Sequence, residues 1–262
     1  MAQPLILTDL ENGVLSLTLN RPEVKNAMSL ALLDELIAAL DKAEADASVR
    51  IIVIRGSDGN FSAGADIRDM AAARNAADPA KAIHQLSSGF GAMVARFATT
   101  PKTVITALEG AVMGGGFGLA CASDIAIASH TVKFALPETT LGLIPAQIAP
   151  VLLERIGYSE AKRLAVTGAR IGAEEAMRIG LVHAVTDELE EDIKDVIDHA
   201  LRCAPEAVAV SKKLLRDARF VQSDTLVEHA ANLFVEAVTG HEGAEGTLAF
   251  VQKRKAKWMP EN

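Results

Sequence analysis

Aromatic residues are scarce, at 4% of 262 positions with one Trp and one Tyr, while half of the residues are hydrophobic. The core of this chain is therefore aliphatic. There are two cysteines, Cys121 and Cys203, each in apolar sequence surroundings. They exclude a disulfide framework and read as reduced structural residues of an intracellular protein. No apolar run approaches the ~18 residues of a membrane span. Met1 to Leu7 is too short and too uncharged for a signal peptide. A soluble, cytoplasmic protein with no membrane partner is expected. Excess positive charge is also missing: 26 Lys and Arg against 34 Asp and Glu give a net charge of −8. That disfavours nucleic-acid binding over the whole surface. The length allows one large domain with ample core.

Several catalytic signatures are absent. The six histidines, at 84, 130, 183, 199, 229 and 241, form no H-E-x-x-H, and no Cys/His cluster has zinc spacing. No metal site is expected. No serine sits in G-x-S-x-G. There is no repeat, low-complexity segment or linker.

What is there centres on Thr103 to Asp124, TVITALEGAVMGGGFGLACASD. Val104 to Leu108 reads as a buried strand. Gly114, Gly115 and Gly116 follow, and Phe117 to Ala122 reads as a buried helix. A glycine turn at a helix start can offer backbone N–H groups to an anion or to an oxygen gaining charge. A dinucleotide fingerprint starting at Gly114 would need glycine where Leu119 stands. The phosphate-binding loop would need a Gly-Lys-Ser/Thr ending that is not there. An oxyanion hole remains compatible, as does a tight structural turn.

In chain order, Leu5 to Leu7 and Val14 to Leu19 flank Asn12-Gly13, a hairpin signal. Ser29 can cap an amphipathic helix to about Ala45 carrying Leu30, Leu33, Ile37 and Leu40. Val49 to Ile54 reads as a buried strand. Arg55 to Met70, RGSDGNFSAGADIRDM, is a second glycine loop leading into a short helical turn. Ala80 to Phe97 reads as a helix with Ile83, Leu86, Phe90, Met93, Val94 and Phe97 on one face. Ile125 to Ala128 and Val132 to Ala135 read as short strands. Pro137 to Pro150, PETTLGLIPAQIAP, is a loop with Glu138 directly after a proline. Short helices punctuated by Gly157, Gly168, Gly172 and Gly180 come next. From Glu188 the chain reads as helical through Glu206 to Arg219, Asp224 to Val238 and Gly243 to Lys257. The basic run Lys253 to Lys257 reads as a solvated face or a complement to a helix C-terminus, and is also compatible with a phosphate-bearing ligand. A strand-containing core over 1–200 and a helical region over 201–262 are expected.

Five motifs, NRPEVKNAMS, FSAGADIRDM, AVMGGGFGLACASDIAIAS, FALPETTLGLIP and LAFVQKRKA, occur in one order over nearly the whole chain. Together they closely resemble the crotonase family, the enoyl-CoA hydratases and isomerases. The resemblance implies an α/β fold, the crotonase (ClpP-like) spiral of β-β-α turns, with a C-terminal helical region that drives formation of homotrimers, often dimers of trimers. It implies an acyl-CoA substrate and no cofactor beyond the coenzyme A that the substrate carries. It assigns Ala65 and Gly115 as the two backbone N–H donors to the thioester oxygen, worth ~3–4 kcal/mol of barrier each. It places Val24, Lys25, Ala63, Asp66, Ile67 and Gly114 along the CoA and pantetheine path. Phe250 and Lys253 match residues that reach the CoA of a neighbouring subunit.

Hydratases of this family use two glutamates. One corresponds to Glu138, which by itself is an ordinary loop carboxylate and in the family frame is the general acid–base. The other corresponds to Gly118. Glycine there removes a charge and opens volume, or else serves close helix packing. One carboxylate suits a Δ3,Δ2-enoyl-CoA isomerase, which shuttles a proton between two carbons. The segment Leu141 to Pro150 instead resembles bacterial hydratases of branched glutaconyl-CoA esters, such as 3-methylglutaconyl-CoA or its isohexenyl analogue. Hydration of a branched or carboxylated enoyl-CoA is the favoured expectation. Isomerisation and a non-catalytic acyl-CoA-binding trimer stay open, with Thr139 and Gln147 as nearby polar groups. Some family members bind RNA, which the charge of −8 disfavours here.

Overall fold

The computed structural model describes residues 3–260. The strand β1 (Ile6–Glu11) pairs antiparallel with β2 (Val14–Leu19). The turn residues Asn12 and Gly13 both have positive φ, 50° and 81°. That is the hairpin geometry which follows the natural strand twist. A short 3-10 turn, Pro22–Val24, leads to α1 (Leu30–Ala45). The Ser29 hydroxyl oxygen caps α1 by accepting from the Leu32 N–H at 3.2 Å. The helix buries Leu32, Leu33, Leu36, Leu40, Ala39 and Ala43 as one stripe, each large side chain contributing roughly 1.5–3 kcal/mol.

The chain continues through β3 (Ile51–Gly56), α2 (Ile67–Arg74), α3 (Pro79–Thr99), β4 (Thr103–Leu108), β5 (Ala111–Met113), α4 (Gly115–Ala122), β6 (Ile125–Ser129), β7 (Lys133–Ala135), α5 (Ala149–Thr167), β8 (Arg170–Gly172), α6 (Ala173–Arg178), β9 (Ala184–Thr186) and α7 (Leu189–Leu201). It ends in α8 (Pro205–Ala218), α9 (Ser223–Thr239) and α10 (His241–Val251). The main sheet has the order β1-β2-β3-β4-β6-β9 and is parallel from β2 onward. Ile51 to Ile54 are all buried because both faces of the sheet are covered. Ile51, Val53, Ile105 and Ile127 meet Leu189, Ile193 and Leu201, at α7, on one face. The other face packs into the large core with α1, α3, α4 and α5.

A second, smaller layer runs alongside. β5, β7 and β8 form a three-stranded sheet. Two bridges extend it, Ser62 to Val112 and Met28 to Ala65. After β2, β3, β4 and β6 alike, the chain drops a short extended segment into this layer before turning into a helix. That repeated strand, short strand, helix path is a spiral of β-β-α turns, and it stacks the residues entering each helix side by side.

Several local expectations change. The strand that enters the glycine turn is β5, not the long β4; at three residues with one buried side chain it has too little pattern to be read. β8 and β9 escape for the same reason. In α3 only Met93, Val94 and Phe97 are buried, and Ile83 is exposed. Gly157, by contrast, does break the run from Ala149 to Thr167: its φ of 70° and ψ of 167° are not helical, so it separates two helical stretches as its place in the sequence implies. α10 ends at Val251, so the basic run lies beyond the helix, and Lys253 has φ 53°. Arg254 there pairs with Glu245 at 2.6 Å. Cys121 is buried but Cys203 is exposed, so its surroundings are not apolar.

Asn26 holds the spiral's first two turns together. It is fully buried with φ 55°. Its side-chain oxygen accepts from the Arg21 N–H (2.8 Å) and the Ser57 hydroxyl (3.1 Å). Its amide nitrogen donates to the carbonyls of Ser57 (2.9 Å) and Asn60 (2.6 Å). Asn26→Ala strands these groups, and should cost about 2–4 kcal/mol in urea unfolding. An unchanged midpoint would show that the clip is dispensable.

Candidate active site

The loop after β3 is extended, and its side chains alternate. Ser62, Gly64 and Asp66 are buried; Ala63, Ala65 and Ile67 are exposed. Neighbours on both sides impose this. Met28 N–H donates to Gly64 O (2.7 Å), and Asp66 N–H donates to Met28 O (3.0 Å). Ser62 N–H donates to Ala111 O, and Met113 N–H to Ser62 O. In such a bridge the middle residue's own N–H faces away from the partner, so the N–H of Ala65 is not spent on Met28.

The turn before α4 comes up against this loop. Gly64 has φ 95°, and a Cβ there would stand 2.9 Å from Met113 O and 3.4 Å from the Gly115 nitrogen. Gly114 turns the chain with φ 48°. Gly115 is the first residue of α4, where an N–H has no partner within the helix. The N–H groups of Ala65 and Gly115 therefore belong to two loops held at backbone contact. Around Gly115, a Cβ would stand 2.8 Å from the Phe90 ring and 3.0 Å from the Met28 methyl. The donors thus lie beside hydrocarbon.

Glu138 completes the cluster. Gly114 N–H donates to Ala135 O at 3.0 Å, which ties the glycine turn to the end of β7. Glu138 follows three residues later, opening a 3-10 turn, Glu138–Leu141. Its Oε1 lies 2.9 Å from where a Cβ on Gly114 would be. Its Oε2 is buried without a hydrogen-bond partner among the described residues. Burial pushes the Glu138 carboxyl above the usual carboxylate range, against a smaller opposing effect of its own backbone N–H. A buried, unpartnered carboxylate costs stability, and a raised pKa is what a general acid–base needs.

Two backbone donors, a carboxylate with a raised pKa and an apolar wall form a site for moving a proton while an oxygen gains negative charge. The sequence profile of the enoyl-CoA hydratase/isomerase family matches residues 9–261. The chain belongs to the enoyl-CoA hydratase/isomerase family. This chain is an enzyme of that family with the crotonase fold, and the family implies an acyl-CoA substrate. It is 34% identical to a probable enoyl-CoA hydratase of Bacillus subtilis over 94% of this chain and 95% of that one. It is 32% identical to the 2,3-dehydroadipyl-CoA hydratase of Escherichia coli, over 95% and 96% of the two chains. The solved structure of Pseudomonas aeruginosa AtuE superposes with a TM-score of 0.95 at 48% identity, covering 98% of this chain and 100% of that one.

The remaining family-derived positions separate into three groups. Lys25, Ala63 and Ile67 are exposed and Val24 is half-buried along one rim, because Ala63 N–H donates to Lys25 O at 2.8 Å. The Asp66 carboxylate serves the fold. It accepts from the Arg68 N–H at 2.9 Å as the cap of α2, and it pairs with Arg21 at 2.8 Å. Phe250 and Lys253 lie at the far end of the chain, where α10 docks on α9 and Phe250 is exposed. The fold of one chain leaves both outside the cluster around Gly114 and Gly115.

Two expectations are corrected. Gly118 does not open volume, because Ile148 fills the space beside it: a Cβ there would overlap Ile148 Cγ2 and stand 2.8 Å from Ile148 Cβ. Thr139 and Gln147 are engaged elsewhere. Thr139 donates to Ala165 O at 2.7 Å, and Gln147 donates to the Ser87 hydroxyl at 3.0 Å. Arg21, Asn26, Met28, Phe90 and Ile148 shape the site and carried no clear signal; only the motif NRPEVKNAMS marked the first three as a group.

Glu138→Gln should separate function from stability. Burial raises the folded-state pKa, so the native protein holds this proton more tightly than the unfolded chain. Stability therefore falls as pH rises through the window above the ordinary carboxylate value. The Gln variant should melt higher than wild type at pH 8 and equally at pH 4, with turnover reduced by about 10²–10⁴. Wild-type kcat/KM should fall as pH drops through the raised pKa. Identical melting of the two proteins at pH 8 would show that the carboxylate is not desolvated.

Proposed function

We propose that this chain is an enoyl-CoA hydratase in which Glu138 is the single acid–base group and Ala65 and Gly115 hold the thioester oxygen. The observation that carries the reading is the buried, unpartnered Oε2 of Glu138 beside the two glycine loops. Glu138 takes a proton from water as the water oxygen bonds to Cβ. The double-bond electrons move onto the thioester oxygen, where the two N–H groups stabilise the enolate more than the neutral substrate. The protonated Glu138 then returns its proton to Cα, so one water is added in all.

The proposed acyl group is branched or of glutaconyl type. Position 118 offers no second negative charge to repel a substrate carboxylate. Leu141, Leu143 and Ile144 follow Glu138 in the chain and are exposed, which leaves hydrocarbon available to an acyl chain. The name of the Escherichia coli relative concerns an acyl chain with its own carboxylate. Gly118 itself adds no room for a branch, because Ile148 fills the space beside it. A Δ3,Δ2-isomerase is the second reading, because one carboxylate suffices to carry a proton between two carbons.

In this reading coenzyme A lies along Val24, Lys25, Ala63, Asp66 and Ile67, and no cofactor beyond it is needed. Phe250 and Lys253 reach the CoA of a neighbouring subunit in a homotrimer or a dimer of trimers. The region 201–262 supports that assembly: no residue of α9 is buried, and Val227, Phe234 and Val235 are exposed on it. The protein is proposed to work in the cytoplasm.

Turnover of crotonyl-, trans-3-hexenoyl-, 3-methylcrotonyl- and 3-methylglutaconyl-CoA, followed by mass spectrometry, tests the reading. A product heavier by one water from the glutaconyl ester alone is expected. A product of unchanged mass from trans-3-hexenoyl-CoA, with conjugated enoyl absorbance, would make the enzyme an isomerase. Tight acyl-CoA binding without turnover of any substrate would favour a non-catalytic binder.

A further inference from the structure

Gly114 is the cap that precedes α4, with φ 48° and ψ −113°, and its carbonyl accepts from the Gly118 N–H at 3.0 Å, in the first turn of the helix. A Cβ at 114 would stand 2.9 Å from Glu138 Oε1, and a Cβ at 118 would run into the Ile148 side chain. Glu138 therefore lies against the cap of α4 and Ile148 against its first turn. Ile148 is not free to yield. It is 3% exposed, its backbone is already helical as the cap of α5, and its carbonyl accepts from the Leu152 N–H at 3.0 Å. A β-branched side chain in such a backbone has few rotamers, and the close-packed interior around it leaves little room to shift.

We propose that Ile148 determines that this site works with one acid–base group: its branched side chain occupies the space that a residue at 118 would use, closing it to a second carboxylate. Both proton transfers then pass through Glu138, and the acyl chain meets hydrocarbon there instead of a charge. The chemical part rests on Glu138 being the base; the steric part does not.

The steric part is tested without substrate. Gly118→Ala should lower Tm in the wild-type background, and should lower it less, or not at all, in the Ile148→Ala background. A neutral Gly118→Ala, or simple additivity of the two changes, would overturn it. The chemical part is tested with Gly118→Glu, Ile148→Gly and the pair, using crotonyl-CoA as the probe. Gly118→Glu alone should bring no gain in hydration. The pair should hydrate crotonyl-CoA at least about tenfold faster than Ile148→Gly alone, with a second ionisation entering the pH profile. A gain from Gly118→Glu alone equal to that of the pair would show that Ile148 is no barrier. A folded pair without gain would show that the space does not serve a second acid. Unchanged turnover in Glu138→Gln would overturn the assignment of the base, while the Tm coupling would still decide the steric claim.

Discussion

Two stretches of backbone meet at Gly64 and Gly115 with no space for a Cβ between them, and the rest of the site depends on that approach. A side chain on Gly64 would push against Met113 O and the Gly115 nitrogen, and one on Gly114 would push against Glu138. Any such displacement would separate the Ala65 and Gly115 N–H groups from each other or from the carboxylate. The second layer of the spiral holds the two stretches in register through the bridges at Met28, Ser62 and Val112. Regular backbone pairing thus fixes the positions of these two N–H groups, and preorganised dipoles of this kind lose no energy to reorientation where charge develops.

Around that contact the fold spends polar groups on loop geometry and withholds them from Glu138. Asn26 uses four hydrogen bonds, and Arg21 joins Asp66 while also donating to Ala27 O. Glu138 has one oxygen buried with no partner among the described residues. The contrast has a physical logic. A carboxylate satisfied by Arg21 is held ionised and cannot exchange protons near neutral pH, whereas a desolvated one can. Stability is given up at Glu138 and recovered in the loops that carry the donors.

Much of this was legible in the chain. The hairpin at Asn12-Gly13, the Ser29 cap and the run Ile51 to Ile54 all carry local signals of turn chemistry, capping and burial. The ordered motifs identify the family, and through it Ala65, Gly115 and Glu138 as a set. What escaped lacks local signal. β5, β8 and β9 have three residues each, too few for a period. Ile148 sits in a loop segment where an isoleucine has no assigned partner until α4 is laid against it. That the Asp66 carboxylate is paired with Arg21 is likewise invisible locally, because the two residues lie on separate loops.

The sequence by itself determined the class of element at most positions, the glycine conformations at the turns and the absence of an acid at 118, because these follow from backbone sterics and residue identity. Only the tertiary structure decided what occupies the space beside Gly118, which oxygen of Glu138 is left without a partner and which exposed residues share a rim. Those are distances between segments far apart in the chain, and they are set by how the two sheet layers stack.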